Sequence, residues 1–289
     1  MEKKLKKLSK KVNYFLNNYL SKLNSSELIT PMKYGLFPGG KKIRSKIIFD
    51  VGKIFNVKSK DLLILAASVE AIHAYSLIHD DLPCMDDDKL RRGKPSAHVK
   101  FGESTAILAG NSLLTTAFEI LSDKNFKVEN KIKSRLINSL SRCSGQLGIA
   151  GGQYLDLSYE KKKVSFQKIL NMELKKTGKL FEFCCLGPLL IKKNKKNLNS
   201  FSKIGKDIGL LFQIIDDLID FKGETKLAGK KTKKDKKKGK ATIISLLGHD
   251  NAVKYANKLK LNIYNKLKSH NKKANDLRET INFIMERNK

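Results

Sequence analysis

Apolar residues recur at spacings of three and four along most of the chain, and runs alternating apolar with polar at every second position are scarce. That periodicity predicts helices over residues 3–22, 42–55, 60–81, 104–121, 131–147, 165–187, 199–221, 240–247, 250–268 and 274–287. The five prolines, Pro31, Pro38, Pro83, Pro95 and Pro188, fall at predicted helix ends or in turns, where a missing N–H does least harm. The chain reads as all-α. Its most apolar stretch, LLILAASVEAIHAYSLI from Leu62 to Ile78, carries Glu70 and His73 and runs into two aspartates, which predicts a buried core helix and no stable membrane insertion. No repeat at solenoid spacing and no clean linker divides the sequence, so one domain over residues 1–289 is expected. The one low-complexity segment, KLAGKKTKKDKKKGK over 226–240, holds nine lysines in fifteen residues and is expected to be a mobile surface loop.

Composition adds a strong bias. With 59 Lys and Arg against 28 Asp and Glu, the formal charge is +31, a field that favours polyanions: nucleic acid, an anionic membrane surface or phosphorylated small molecules. Lysine and asparagine also crowd stretches with no evident chemistry, such as KKNKKNLNS, so compositional drift accounts for the excess as readily as a partner does. The four cysteines form no CxxC pair and have no histidine at zinc-ligand spacing, which fits reduced thiols in the cytoplasm. The first twenty residues form a basic amphipathic helix without the uninterrupted apolar core or small-residue cleavage site of a secretory signal.

Against this basic background, LIHDDLPCMDDDKLRRG (Leu77 to Gly93) concentrates five aspartates at the end of an apolar helix. His73, Leu77 and Asp80 share a helix face, because seven residues make nearly two turns. Pro83 should break the helix and allow Asp86 to return toward Asp80. Gathered carboxylates repel one another and resist desolvation, so they require cations. Magnesium, which takes one or two carboxylates and fills its shell with water and phosphate, suits them. A second cluster, FQIIDDLID, sets Gln213, Asp216, Asp217 and Asp220 at offsets of zero, three, four and seven, one stripe on a helix whose other residues are Ile and Leu. Two such stripes facing a common cavity would make a magnesium cage for a diphosphate. GGKKIRS supplies Lys41 and Arg44 at a helix start, LRRG adds Arg91 and Arg92, and KKTG adds Lys176 beside the hydroxyl of Thr177.

GGKKIR, EAIHAYSLIHDDLPCMDDDKLRRGKPSAHVKFGESTAILAGNSLL, GGQYLDL, KKTGKLFEF and LFQIIDDLIDFKGE resemble, in that order, the motifs of the short-chain trans-prenyl diphosphate synthases. The similarity is greatest to the bacterial farnesyl type. It implies an isoprenoid-synthase bundle of about ten helices around a central cavity, a homodimer, and a reaction joining isopentenyl diphosphate to dimethylallyl and geranyl diphosphate to give farnesyl diphosphate. The alternative is the same family with a geranyl or geranylgeranyl product. The resemblance makes Asp80, Asp86 and Asp216 magnesium ligands, with Asp81 and Asp217 completing the motifs and Asp220 acting through water. Three magnesium ions would hold the allylic diphosphate with Arg91, Lys176, Lys230 and Lys240, while Lys41, Arg44, His73 and Arg92 would hold isopentenyl diphosphate. Thr177 and Gln213 would stabilise the allylic cation, and Tyr75 and Ser76, just before Asp80, would limit product length. Three positions depart from the family pattern: Ser45 for a common proline, Cys84 for a small residue and Ile215 for a frequent polar one.

Two rivals explain less. A nucleic-acid-binding protein would account for the charge, but neither zinc-finger spacing nor an RNP-like motif is present, and carboxylate stripes repel phosphate without metal. A terpene cyclase would use the same aspartates yet has no need of a second diphosphate pocket.

Overall fold

The computed structural model describes residues 1–23, 26–228 and 242–287. Among them only two strands occur, of two residues each, and the rest of the regular structure is helical. The lysine-rich stretch falls largely outside the described residues, Lys230 and Lys240 included. Two compact units emerge, each discontinuous in sequence: unit 1 comprises residues 1–139 and 187–195, unit 2 residues 140–186 and 196–289.

Unit 1 is organised around α4 (Ser59–Asp80), which packs on α1 (Glu2–Ser21), α2 (Ile29–Leu36), α3 (Ile43–Ile54) and α6 (Glu103–Ser122), with the short α5 (Ala97–Phe101) against α2 and α6. Neighbours on several sides explain why α4 has no polar face: Leu65, Ala66, Ala67, Val69, Ala71 and Ile72 are all fully buried. It is long and apolar enough to cross a membrane, but 72% of its most apolar window is buried inside the fold, the mark of a core helix. By contrast α1 buries only Leu5, Val12, Leu16 and Leu20 and turns its lysines outward. The helix over Ile29–Leu36 was not expected from periodicity; Pro31 lies in its first turn, where helices accept proline.

In unit 2, α11 (Leu198–Ala228) packs against α12 (Ile243–Leu247), α13 (His249–Lys266) and α14 (Asn275–Glu286). It continues seven residues beyond the predicted end, through a stretch whose Glu and Lys are good helix formers and which lacks proline. The helix expected over 165–187 is resolved into three parts: α9 (Phe166–Glu173), a π-helical segment Leu174–Gly178, and α10 (Lys179–Ile191). Pro188 does not end α10 as proline usually would. Leu189 and Leu190 beyond it are buried, and that burial outweighs the lost hydrogen bond. Between α7 (Asn130–Ser144) and α9 lies the unforeseen α8 (Ile149–Tyr159). Its paired glycines, poor helix formers, hide the pattern, but close packing demands one of them: a Cβ on Gly152 would sit 2.2 Å from the backbone N of Lys176.

Candidate active site

In unit 1, α4 ends at Asp80 and the chain folds back on itself. The Asp86 N–H donates to the Asp80 carbonyl at 2.9 Å, and the Asp88 N–H to that of Asp81 at 3.2 Å. This turn sets Asp86 beside Asp80, both half-buried. Asp81 points elsewhere. It is 2% exposed and ion-paired to Arg91, whose Nε also donates to its Oδ1 at 3.0 Å. Arg91 in turn reaches Asp88 Oδ2 at 3.4 Å, so this arginine is engaged in bracing the acidic turn.

Beyond it, β1 (Leu90–Arg91) and β2 (Lys94–Pro95) form an antiparallel hairpin with Arg92 and Gly93 in its bend. Both bend residues have positive φ, 54° and 76°, the geometry of a tight primed turn that matches strand twist. The turn throws the Arg92 side chain against Gly40, where a Cβ would lie 2.2 Å from Nη1, so a larger residue at position 40 would push the guanidinium aside. Arg44 Nη1 meets His73 Nε2 at 3.1 Å. Burial, and then the charges of Arg44, Arg92, Lys42 and Arg91, hold the His73 pKa well below the ordinary histidine range. The ring is therefore neutral at pH 7, and its Nε2 accepts from Arg44. Lys42, unremarked in the sequence, bridges to buried Glu70 at 3.2 Å, while the Ser45 hydroxyl donates to the same carboxylate at 2.7 Å. Burial raises the Glu70 pKa, but Lys42, Ser45 and Arg44 outweigh it and leave the carboxyl below its ordinary value. Ser45 thus serves the network that seats the α3 end of the cluster. Lys41 is exposed on the same loop.

Unit 2 assembles the second group. Gly209 and Gly178 let α11 and the π segment touch, since a Cβ on Gly209 would lie 2.6 Å from the Gly178 Cα. That approach brings the Thr177 hydroxyl to Gln213 Oε1 at 3.2 Å. Gln213 Nε2 donates onward to Asp217 Oδ1 at 2.9 Å. On the π segment's other flank, against α8, Lys176 Nζ lies 2.6 Å from Asp156 Oδ2. Asp156 belongs to the GGQYLDL motif that the sequence displayed without a role for it. Asp216 pairs at 2.7 Å with Arg287, a residue no pattern in the sequence singled out. Asp220 is exposed one turn further on.

These carboxylates fit a hard divalent ion. Among the described residues no three His, Cys, Asp or Glu side chains converge into a self-sufficient cage. Single or paired carboxylates suit a hard divalent ion that completes its shell with water and phosphate oxygens. Asp217 Oδ2, buried with no hydrogen-bond partner among the described residues, is the kind of acceptor that an ion's water shell would satisfy.

The polyprenyl synthetase family profile matches residues 25–282. This chain belongs to that family. Among polyprenyl synthetases, the farnesyl diphosphate synthase of Escherichia coli is 40% identical over 97% of this chain and 96% of its own. A geranylgeranyl diphosphate synthase of Cyanophora paradoxa is 36% identical over 94% and 92%. The apo structure of a FPP/GFPP synthase from Zymomonas mobilis superposes with a TM-score of 0.87 at 35% identity, over 98% of this chain and all of that one.

Within this polyprenyl synthetase, one site residue has a measurable charge signature. Burial, then the neighbouring Asp216 and Asp220 charges, lift Asp217 from 3.8 to about 6 against the pull of the Gln213 amide. The native state therefore holds this proton where the unfolded chain has released it, and stability falls as pH rises from 4 to 6. In EDTA, Asp217→Asn should stabilise the protein at pH 7.5 by roughly 1–2 kcal/mol, after discounting for partial exposure, and be neutral at pH 4. Thermal unfolding at the two pH values checks this; an equal change at both would contradict it.

Proposed function

We propose that the chain is a prenyltransferase that condenses isopentenyl diphosphate with dimethylallyl and then geranyl diphosphate, releasing farnesyl diphosphate. One observation carries the reading: besides two carboxylate groups suited to metal-bound diphosphate, unit 1 builds a separate cation cluster of Arg44, Arg92 and a neutral His73. An enzyme that only ionises one diphosphate has no use for a second anion pocket. Guanidinium forks match phosphate oxygens, and a neutral His73 can donate from its other nitrogen without adding charge.

Magnesium, three ions in this reading, supplies neutralisation of the charge that develops on the departing allylic diphosphate. Asp80, Asp86 and Asp216 present the anchoring oxygens, and Lys176, Lys230 and Lys240 add cationic contacts to the same leaving group. Lys176 is held ready by Asp156. As the allylic C–O bond breaks, the Thr177 and Gln213 oxygens face developing positive charge without a nucleophile strong enough to trap it. The isopentenyl double bond then attacks, and the released diphosphate accepts the proton lost from the adduct. Arg91, engaged with Asp81, shapes the acidic turn and contributes positive potential to the leaving group. Tyr75 and Ser76 bound the product tail. We further propose that the working form is a homodimer in the cytoplasm.

Incubation of labelled isopentenyl diphosphate with dimethylallyl or geranyl diphosphate, with magnesium or EDTA, tests the assignment. A fifteen-carbon product that needs both substrates and disappears in EDTA is expected. Turnover of the allylic substrate alone would indicate a cyclase, and a ten- or twenty-carbon product the alternative chain length.

A further inference from the structure

Arg287 follows directly on α14, in extended backbone. Its side chain is only 6% exposed, an unusual burial for a charged residue. Three contacts hold it along a single turn of α11. Nη2 donates to the Phe212 carbonyl at 2.6 Å and lies 2.7 Å from Asp216 Oδ1, and the guanidinium carbon stands 3.7 Å above the Phe212 ring. Nε is buried without a hydrogen-bond partner among the described residues, so the arrangement is not one that satisfies the guanidinium fully.

Asp216 is also the carboxylate of the second motif best suited to bind metal. A guanidinium and a hard divalent ion drawn to the same carboxylate repel one another, so each weakens the other's hold on it. We propose that Arg287 is a built-in counter-cation for Asp216, displaced when a divalent ion loads, so that the residue after α14 gates metal entry. The proposal rests on reading Asp216 as a metal ligand. In the metal-free protein Arg287 neutralises a carboxylate that Asp217 and Asp220 would otherwise crowd. On loading, the ion takes over that neutralisation, and Arg287 gives up the Asp216 contact while its Phe212 contacts remain available.

Thermodynamic linkage makes this measurable apart from turnover, since whatever Arg287 costs the ion must appear in the ion's affinity. Mn2+ binding is followed by the EPR signal of the free ion, at 0.15 M salt, in an Asp80→Asn, Asp86→Asn background that leaves the second motif as the principal acidic site. Adding Arg287→Gln is expected to tighten Mn2+ binding at least about fivefold, and Arg287→Lys, which keeps the charge, to leave affinity within about twofold. Adding Asp216→Asn to Arg287→Gln should erase the gain. Arg287→Met, which keeps the stem over Phe212, serves if the glutamine variant loses its helical circular dichroism. A merely structural Arg287 would lower thermal stability without tightening metal binding. Unchanged or weaker binding in the uncharged variants, or a gain that survives Asp216→Asn, overturns the proposal. Absence of prenyl transfer by the wild-type protein, with the gain intact in the variants, would instead count against the proposed reaction alone.

Discussion

Asp216→Ala, assayed with isopentenyl and geranyl diphosphate at saturating magnesium, is expected to lose at least ~10²–10³ of turnover, as removal of a preorganised electrostatic group does. Asp80→Ala should do the same. The losses arise from chemistry and not from unfolding. Asp216 is 39% exposed, on a helix whose packing comes from Ile214, Ile215 and Leu218. Asp80 is the last, half-buried residue of α4, and the turn behind it is closed by backbone hydrogen bonds and the Asp81–Arg91 pair that the substitution leaves in place. Far-UV circular dichroism should accordingly match the wild type. Near-normal turnover in either variant would remove the metal-ligand assignment.

The second large effect concerns what the enzyme makes and not how fast. Tyr75 is 7% exposed, five residues before Asp80, with its ring edge-on to His79 at 5.6 Å. Burial and the nearby Asp80 charge raise its hydroxyl pKa to about 12, so it stays a neutral, buried ring at any working pH. Truncation to alanine opens a void that the packed helices around α4 cannot readily refill. Tyr75→Ala should therefore shift the main product from fifteen carbons to twenty or more, with a stability cost of about 3–5 kcal/mol, the range for deleting a buried aromatic. Tyr75→Phe, which keeps the ring, should leave product length unchanged. Reverse-phase chromatography of dephosphorylated products decides it: identical profiles for the alanine variant and wild type would place the floor elsewhere.

How much of this was legible beforehand depended on whether the signal was local. The α4 and α11 helices were plain in the sequence because apolar residues at helical spacing continue for twenty residues or more, and the aspartates stand out, one group where α4 ends and the other on α11. The α8 helix was not, since Gly151 and Gly152 lower helical propensity; the requirement for Gly152 lies in the Lys176 backbone, twenty-four positions later. A separation of twenty residues hid Asp156 as the partner of Lys176. Lys42 and Ser45 acquire meaning only from Glu70, which α4 carries to them, and Arg287 only from α14 folding onto α11. In each case the residue type was visible but its partner was set by packing, which a one-dimensional pattern does not encode. The end of α10 shows the opposite error: proline's local preference was read correctly and then overridden by burial.

The π-helical turn at Leu174–Gly178 bears on how this arrangement of side chains can evolve. It accommodates one surplus residue inside a helix, so the consecutive side chains of Lys176 and Thr177 answer to two different walls, Asp156 on one and Gln213 on the other. Removing a single amino acid there would rotate one of those groups by roughly 100° away from its wall while sparing the helix itself. The reach of the Lys176 ammonium is thus adjustable by chain count alone, with no change of residue type.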